Sequence, residues 1–340
     1  MSAPVQAPAD QHERVERARG LLEGIGGTPL VELDLRALLD EAPGLPPLPP
    51  DVARARQHIA TRTRVVAKLE SRNPGGSVKD RPVARMLLEA LQRGDLDGGR
   101  RLLDSSSGNA GIAYAMLGAA LGVPVTLVVP GNASRERLDR IRAHGAELLL
   151  TDPQLGYDHA LLEARRLARE RPELYFHCDQ YGNAANWRSH FEGTGGEILE
   201  QSRALCGEAP DAFVSGVGTG GTLTGVGRRL TEARPGLRIL AVIPDTFPGI
   251  EGLKPLGHPG DLVPAILDAA LIDARRSVTI EEACAMCLRL ARQGHYVGPS
   301  SGANVLGALS LAASDPVRLV ATVLCDTGER YVSTGMWQVG

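Results

Sequence analysis

Lysine is rare in this chain, and the position of one lysine favours covalent chemistry. Only three of the 37 basic residues are lysine, namely Lys68, Lys79 and Lys254. An arginine guanidinium stays protonated, whereas a lysine amine can lose its proton and add to a carbonyl group. Lys79 ends a glycine-rich turn, residues 73–79 (the Lys79 turn), and stands at the start of a predicted helix. An ordinary lysine of a first helical turn is the alternative, but the surrounding motifs favour a functional role.

Four turns rich in glycine and serine stand where predicted strands end or helices begin. Besides the Lys79 turn they are residues 105–111 (the Asn109 turn), 216–222 (the Gly218 loop) and 298–304. Glycine lets backbone N–H groups approach an anion closely, and a helix N-terminus adds partial positive charge. Ligands of open parallel sheets bind beyond the carboxyl ends of the strands. The four turns therefore predict one ligand site built from several loops.

Strand and helix patterns alternate along the chain from residue 65. Predicted strands cover residues 65–69, 101–104, 125–129, 147–150, 212–215, 239–243 and 319–325, with a short one within 27–33. Predicted helices cover residues 78–93, 108–121, 134–144, 157–169, 184–201, 222–233, 280–293 and 301–313. This alternation is typical of βαβ units, whose parallel sheets carry helices on both faces. We predict an α/β protein of two three-layer domains with the ligand in the crevice between them.

The Gly218 loop by itself allows two interpretations. Gly216-x-Gly218-x-x-Gly221 matches the dinucleotide-binding fingerprint, and Asp245 stands where a ribose-binding acid would be expected. A nicotinamide dehydrogenase, however, gives no role to the Lys79 turn or to the two Ser/Gly turns. A small cofactor with one phosphate and one aldehyde accounts for all four turns.

Composition limits the function classes. The chain has 340 residues, 43% apolar, and a net charge of −3 without a basic stripe or tail, which argues against a nucleic-acid partner. No apolar run approaches the roughly 20 residues of a membrane span, and the N-terminal sequence lacks a secretory signal. We therefore expect a cytoplasmic protein that does not bind membranes.

The cysteines predict neither disulfides nor a metal site. There are five, and Cys284 and Cys287 form a CxxC pair inside a predicted helix. No second pair or histidine cluster completes a set of metal ligands. We expect these thiols to be buried, and no metal to be bound.

Six motifs together resemble a known family. They are IGGTPLVEL (25–33), KLESRNPGGSVKDR (68–81), SSGNAGIAYA (106–115), SGVGTGGTLTGVG (215–227), GPSSGAN (298–304) and DTGERYVST (326–334). With them the chain resembles cysteine synthases and cystathionine β-synthases, which are fold-type II (tryptophan synthase β-like) pyridoxal-phosphate enzymes. The resemblance runs from about residue 24 to residue 333.

The resemblance implies a role for each motif residue around pyridoxal 5'-phosphate. Lys79 would hold the cofactor as an internal aldimine and remove the substrate's Cα proton, and Asn109 would hydrogen-bond the ring hydroxyl. Ser300 would face the pyridine nitrogen as a neutral partner, which favours loss of a β-substituent. The residues implied to cradle the phosphate are Gly218, Thr219, Gly220, Gly221 and Thr222.

Substrate residues follow from the same resemblance. The substrate carboxylate would be bound by the Asn109 turn, with Ser106, Ser107, Gly108 and Ala110, and by Gln180. Ser106 could equally be a turn or N-cap serine, and Gln180 a surface loop residue. Ala110 stands where the family commonly has threonine, which removes one hydroxyl donor and bears on substrate choice.

The implied activity is β-replacement on an activated L-serine, O-acetylserine or O-phosphoserine, through an α-aminoacrylate intermediate. The expected nucleophile is sulfide or another sulfur donor, and the expected product is L-cysteine. Cystathionine β-synthase-type or diaminopropionate-type synthesis is the alternative within the fold. A non-catalytic regulatory partner of a serine acyltransferase is the alternative of another class.

Partners and domains are expected as follows. The resemblance implies a homodimer and allows a serine acyltransferase or a sulfur-carrier protein as partner. Lys254 either contacts an anionic leaving group or is a solvated loop lysine, and Lys68 is predicted to be structural.

The expected segments are a flexible N-terminus (1–20), a strand and Pro-rich loop packing on the larger domain (21–62), a smaller domain (63–182) and a larger domain (183–340).

Overall fold

The computed structural model describes residues 11–41, 43–106, 108–131, 133–246, 249–256 and 263–337. Ser107, one of the predicted substrate residues, lies outside the described residues. In this part of the chain the strands are β1 (Leu30–Glu32), β2 (Arg64–Leu69), β3 (Arg101–Ser105), β4 (Val125–Pro130), β5 (Glu147–Thr151), β6 (Tyr175–His177), β7 (Ala212–Gly216), β8 (Arg238–Pro244), β9 (Ala274–Val278) and β10 (Leu319–Leu324).

Helices fill most of the connections between these strands. They are α1 (Gln11–Glu23), α2 (Leu35–Leu38), α3 (Pro50–Arg62), α4 (Asp80–Gln92), α5 (Asn109–Leu121), α6 (Arg135–Ala143), α7 (Gly156–Glu170), α8 (Ala184–Ser189), α9 (Gly196–Cys206), α10 (Gly221–Ala233), α11 (Ile280–Ala291) and α12 (Pro299–Ser314). A π-helix, His190–Gly195, joins α8 to α9. None of the helices in the described ranges combines the length and apolarity that crossing a bilayer requires.

The chain divides into two compact units, and the larger comprises Gly26–Val78 and Trp187–Gly340. Its sheet has six strands in the order β1-β2-β10-β7-β8-β9, parallel except for the antiparallel pair β1–β2. Along β10, Val320 packs into the cluster that contains α12, whereas Ala321 packs into the cluster that contains α10. Because successive strand residues point to opposite faces, the sheet is covered by helices on both sides.

The smaller unit comprises Met1–Ile25 and Lys79–Asn186. Its four-stranded sheet has the order β5-β4-β3-β6, and each of these pairs is parallel. In β3, Leu102 packs with α5 and its neighbours, and Leu103 packs with α7. Both units are thus three-layer α/β structures, which confirms the predicted fold class.

The boundaries of the units differ from the predicted ones. We expected the smaller domain to begin at residue 63, but β2 lies in the larger unit because it is hydrogen-bonded between β1 and β10. The smaller unit begins at Lys79, and it extends to Asn186 instead of 182. Sequence patterning identifies a strand but not the sheet that receives it.

Residues 11–20 were expected to be flexible and instead form most of α1. Ala18 is buried in the core of the smaller unit, with Val15, Leu21 and Leu22 packed against the same cluster. Arg17 Nε donates to the carbonyl of Ala120 at the end of α5, 3.0 Å away. The apolar residues of this segment are few, so its packing face is hard to see in a mainly polar sequence.

The other differences concern edge strands and one long helix. Strands β6 and β9 were not expected from the sequence, and both lie at sheet edges. The predicted helix 184–201 is interrupted by the π-helix and continues to Cys206. β6 has only three residues and β9 contains Arg275 and Arg276, so neither shows the continuous apolar run that marks a central strand.

Candidate functional site

The Lys79 turn is held by its own polar residues. Asn73 Nδ2 donates to the carbonyl of Ser77 at 3.2 Å and to Glu70 Oε2 at 2.8 Å. Gly76 adopts the left-handed region with φ 80°, where an added Cβ would lie 2.8 Å from Arg330 Nη2. The left-handed conformation therefore favours glycine there.

The end of the turn is fixed by the two residues that follow strand β10. Ser77 forms a β-bridge with Asp326, and the N–H of Val78 donates to the carbonyl of Cys325 at 2.8 Å. Lys79 then occupies the N-cap position of α4, and its carbonyl accepts from Val83 N at 3.2 Å. The backbone of Lys79 is thus held between a fixed turn and a helix start.

Lys68 is structural, as expected from its position at a strand end. Its side chain is fully buried and forms an ion pair with Glu197 Oε2 at 2.7 Å. Nζ also donates to Gln201 Oε1 at 2.8 Å and to the carbonyl of Thr28. These contacts tie the Gly26–Thr28 segment to α9.

The Asn109 turn lies between β3 and α5. Gly108 is the N-cap of α5 and its N–H donates to Ser106 Oγ at 3.3 Å, so Ser106 does act as a turn serine. An added Cβ on Gly111 would lie 2.3 Å from the carbonyl oxygen of Ser106. That close approach fixes the turn against the helix whose first residue is Asn109.

Ala110 and Gln180 are both buried beside this turn. Ala110 is 3% exposed and belongs to the apolar core. Gln180 is 4% exposed, so it is not a surface loop residue. Its Nε2 donates to the carbonyl of Ser105 at 3.0 Å. The structure thus brings together the described members of the predicted substrate set.

The Gly218 loop connects β7 to α10. Its last residues open the helix, where Gly220 is the N-cap with φ 83° and the N–H of Gly221 donates to Thr219 Oγ1 at 3.4 Å. An added Cβ on Gly218 would lie 2.2 Å from the carbonyl oxygen of Gly252. The backbone N–H groups of a thirteen-residue helix therefore face the glycine-lined loop, which is an arrangement suited to an anion.

The start of α12 is joined to the same loop. Asn304 Oδ1 accepts from Gly216 N at 2.6 Å, and Asn304 Nδ2 donates to the carbonyl of Val323 at 2.9 Å. Ser300 lies one turn earlier on α12 and is 5% exposed. Among the described residues, its hydroxyl has no hydrogen-bond partner. Ser300 is thus buried near the Gly218 loop with an uncommitted polar group.

His190 is a residue of this site that sequence reasoning missed. It is 1% exposed, and its Nδ1 lies 2.9 Å from Thr194 Oγ1 and its Nε2 3.4 Å from Thr222 Oγ1. An added Cβ on Gly225 would lie 2.7 Å from His190 Cβ, so α10 approaches the π-helix closely. The sequence alone offers no sign that His190 belongs to the site, because only the fold places it against Thr222.

Lys254 is buried, so the solvated-lysine interpretation is wrong. It is 8% exposed, and its backbone N–H donates to the carbonyl of Val217 at 2.7 Å. Asp245, the acid of the dinucleotide interpretation, is exposed just beyond β8. The loop that follows β8 therefore contributes Gly252 and Lys254 to the surroundings of the Gly218 loop.

The CxxC pair carries no redox or metal signature. Cys287 is buried and its Sγ donates to the carbonyl of Gly298 at 3.3 Å. Burial raises the pKa of Cys284 to about 11, with a further contribution from the charge of Glu281. Burial also raises the pKa of Cys287. In the described ranges, no group of three or more His, Cys, Asp or Glu side chains could hold a metal ion.

Comparisons with known proteins identify the family. A family model described as "Pyridoxal-phosphate dependent enzyme" matches residues 21–326. A protein named cysteine synthase from Aquifex aeolicus (strain VF5) is 42% identical over 323 residues, covering 93% of this chain and 91% of the relative.

Two solved structures are similar over almost the whole chain. An O-ureido-L-serine synthase has a TM-score of 0.77 at 37% identity, covering 93% of this chain and 94% of its own. A cysteine synthase (OASS) from Entamoeba histolytica has a TM-score of 0.79 at 31% identity, covering 99% of this chain and 93% of its own.

Proposed function

This chain belongs to the family of pyridoxal-phosphate-dependent enzymes, and from that premise we propose that it replaces the β-substituent of an activated L-serine. The proposed substrate is O-acetyl-L-serine or O-phospho-L-serine, the nucleophile is sulfide or another sulfur donor, and the product is L-cysteine. The observation that carries the proposal is that the family match over residues 21–326 contains Lys79 and every predicted cofactor residue.

The Gly218 loop fits the phosphate of the cofactor. The N-terminus of α10, a glycine whose Cβ would strike the Gly252 carbonyl and the nearby hydroxyls of Thr219 and Thr222 form a suitable cradle. Ser300, buried with an uncommitted hydroxyl, fits the ring nitrogen. Lys79 would carry the cofactor, and Asn109 would bind its ring hydroxyl.

Lys79 is the proposed catalytic residue. When bound, pyridoxal phosphate supplies an aldehyde and a conjugated ring that accepts electron density from the substrate's Cα. The amine of Lys79 would remove the Cα proton, the Cβ–O bond would break with release of acetate or phosphate, and a Cβ–S bond would form. Lys79 would then return the proton to Cα.

The Asn109 turn and Gln180 are the proposed binding site of the substrate carboxylate. The backbone N–H groups at the start of α5 and the amide of Gln180 are donors of the type that a carboxylate requires. Ala110 offers no hydroxyl, so one donor common in the family is missing. We expect this difference to act on the choice of substrate and not on cofactor binding.

A second nucleophile is favoured by one observation. The similarity to an O-ureido-L-serine synthase, at 37% identity, supports a nucleophile that attacks Cβ through a hydroxyl oxygen. The same activated serine and the same proton transfers would serve both reactions. Hydroxyurea is therefore the comparison nucleophile for the assay.

An absorption and product assay tests the proposal. The purified protein, supplied with pyridoxal phosphate, is mixed with O-acetyl-L-serine or O-phospho-L-serine and then with sulfide or hydroxyurea. We expect a visible cofactor band that is lost in Lys79→Ala, a spectral change with one serine ester, and formation of L-cysteine. Absence of the band in wild-type protein would refute cofactor binding, and a band insensitive to both esters would refute the proposed substrates.

A further inference from the structure

A fully buried carboxylate lies beside the proposed substrate site. Asp104, near the end of β3, is completely shielded from solvent. Its Oδ1 accepts from Ser105 N at 2.8 Å, and its Oδ2 accepts from Gln180 N at 3.1 Å. One side chain thus holds the backbone of two segments that are 75 residues apart in the sequence.

The third donor to this carboxylate comes from α5. Tyr114, also fully buried, donates its hydroxyl to Asp104 Oδ2 at 2.6 Å. His177 Nε2 lies 3.9 Å from Oδ1, beyond hydrogen-bond distance. Three donors satisfy the carboxylate in a buried environment, so loss of any of them leaves an acceptor without its partner.

The segment that carries Gln180 is itself strained and fixed. Within the described ranges, Asp179 is the single non-glycine residue with a positive φ, which is 51°. On the other side, Asn186 Nδ2 donates to the carbonyl of Gln180 at 2.8 Å. A strained backbone persists only where surrounding contacts hold it, and such strain is found at functional sites.

We propose that Asp104 and Tyr114 are positioning residues that set the placement of the Asn109 turn relative to Gln180, and thereby the affinity for the amino-acid carboxylate. This inference rests on the proposed function, because both segments are the proposed carboxylate site. The Asp104 carboxylate fixes the backbone of Ser105 and Gln180, and the Gln180 amide then donates one hydrogen to Ser105 O. Its second amide hydrogen has no acceptor among the described residues and would donate to the substrate.

The test uses Tyr114→Phe in the holoenzyme. A substrate-binding interaction that is equal in ground and transition states changes KM and not kcat. We expect KM for O-acetyl-L-serine, or for O-phospho-L-serine if that is the substrate, to rise about tenfold, with kcat within about twofold of wild type. The Kd for pyridoxal phosphate should stay unchanged.

Tyr175→Phe is the matched control, since Tyr175 is a buried tyrosine of the same unit whose hydroxyl has no hydrogen-bond partner among the described residues. Asp104→Asn is the second variant, with a larger expected rise in KM. Hydrogen exchange of peptides spanning 101–112 and 176–187 is measured without substrate. We expect faster exchange in Tyr114→Phe than in Tyr175→Phe.

The outcomes separate this inference from the proposed function. Equal KM values and equal exchange in Tyr114→Phe and Tyr175→Phe would overturn the positioning role. A rise in KM accompanied by a comparable fall in kcat and in cofactor affinity would also overturn it, since that pattern indicates general destabilisation. If wild-type protein ignores both serine esters, the proposed substrates fail, and the exchange comparison still decides whether Tyr114 and Asp104 hold the two segments.

Discussion

Replacing Lys68 with methionine should destabilise the larger unit strongly. The side chain is fully buried, with Glu197 Oε2 at 2.7 Å and Gln201 Oε1 at 2.8 Å. Methionine fills similar volume but leaves Glu197, 22% exposed, without its cation. Breaking a fully buried pair costs about 3–5 kcal/mol. Because Glu197 keeps some solvent, we expect about 3 kcal/mol.

Urea unfolding followed by tryptophan fluorescence is a direct assay. The chain has two tryptophans, Trp187 and Trp337, and both belong to the larger unit. Their emission therefore reports on the unit that contains Lys68. The wild-type and variant proteins are compared at one pyridoxal phosphate concentration, and the Kd of each is measured so that the contribution of cofactor binding can be subtracted.

Arg64→Met is the matched control on the same strand. Arg64 pairs with Glu32 at 2.6 Å, but the two side chains are 41% and 38% exposed. An exposed pair contributes roughly 0–1 kcal/mol, so this variant should unfold close to wild type. Lys68→Met/Glu197→Gln should recover part of the loss. Equal unfolding midpoints for Lys68→Met and Arg64→Met would refute the reasoning from burial.

Two further predictions concern the Gly218 loop and the cysteines. Gly218→Ala places a Cβ 2.2 Å from the Gly252 carbonyl oxygen, so we expect the Kd for pyridoxal phosphate to rise at least about tenfold by equilibrium dialysis. Gly196→Ala, where a Cβ meets nothing within 4 Å, should leave that Kd unchanged, and equal values for the two variants would contradict the cradle. Burial raises the pKa of Cys284 to about 11, and the thiolate is the reactive form, so alkylation of Cys284 by iodoacetamide should rise about tenfold per pH unit between pH 7 and 9. A rate that levels off below pH 9, measured by mass spectrometry of the Cys284 peptide, would contradict that pKa.

Local patterns in the sequence were enough for the fold class and for most elements. Central strands such as β10, in which Thr322 alone is polar, are nearly continuous apolar runs because helices cover both faces of their sheet. Glycine-rich turns at strand ends are equally local, because the tight backbone needs glycine wherever the chain goes afterwards. The roles of Lys79, Asn109 and Ser300 remain predictions from the family resemblance, and the structure adds their backbone settings and burial.

Only the tertiary structure decided which distant residues meet. Asp104 and Gln180 are 76 residues apart and Lys68 and Gln201 are 133 apart, yet each pair is hydrogen-bonded. Burial of Lys254, the contact of His190 with Thr222 and the membership of β2 in the larger sheet are of the same kind. The sequence does not show whether a polar side chain is solvated or buried, because segments far along the chain form its environment. The sequence alone therefore determined the local elements and the candidate chemistry, and the fold decided which buried polar groups support that chemistry.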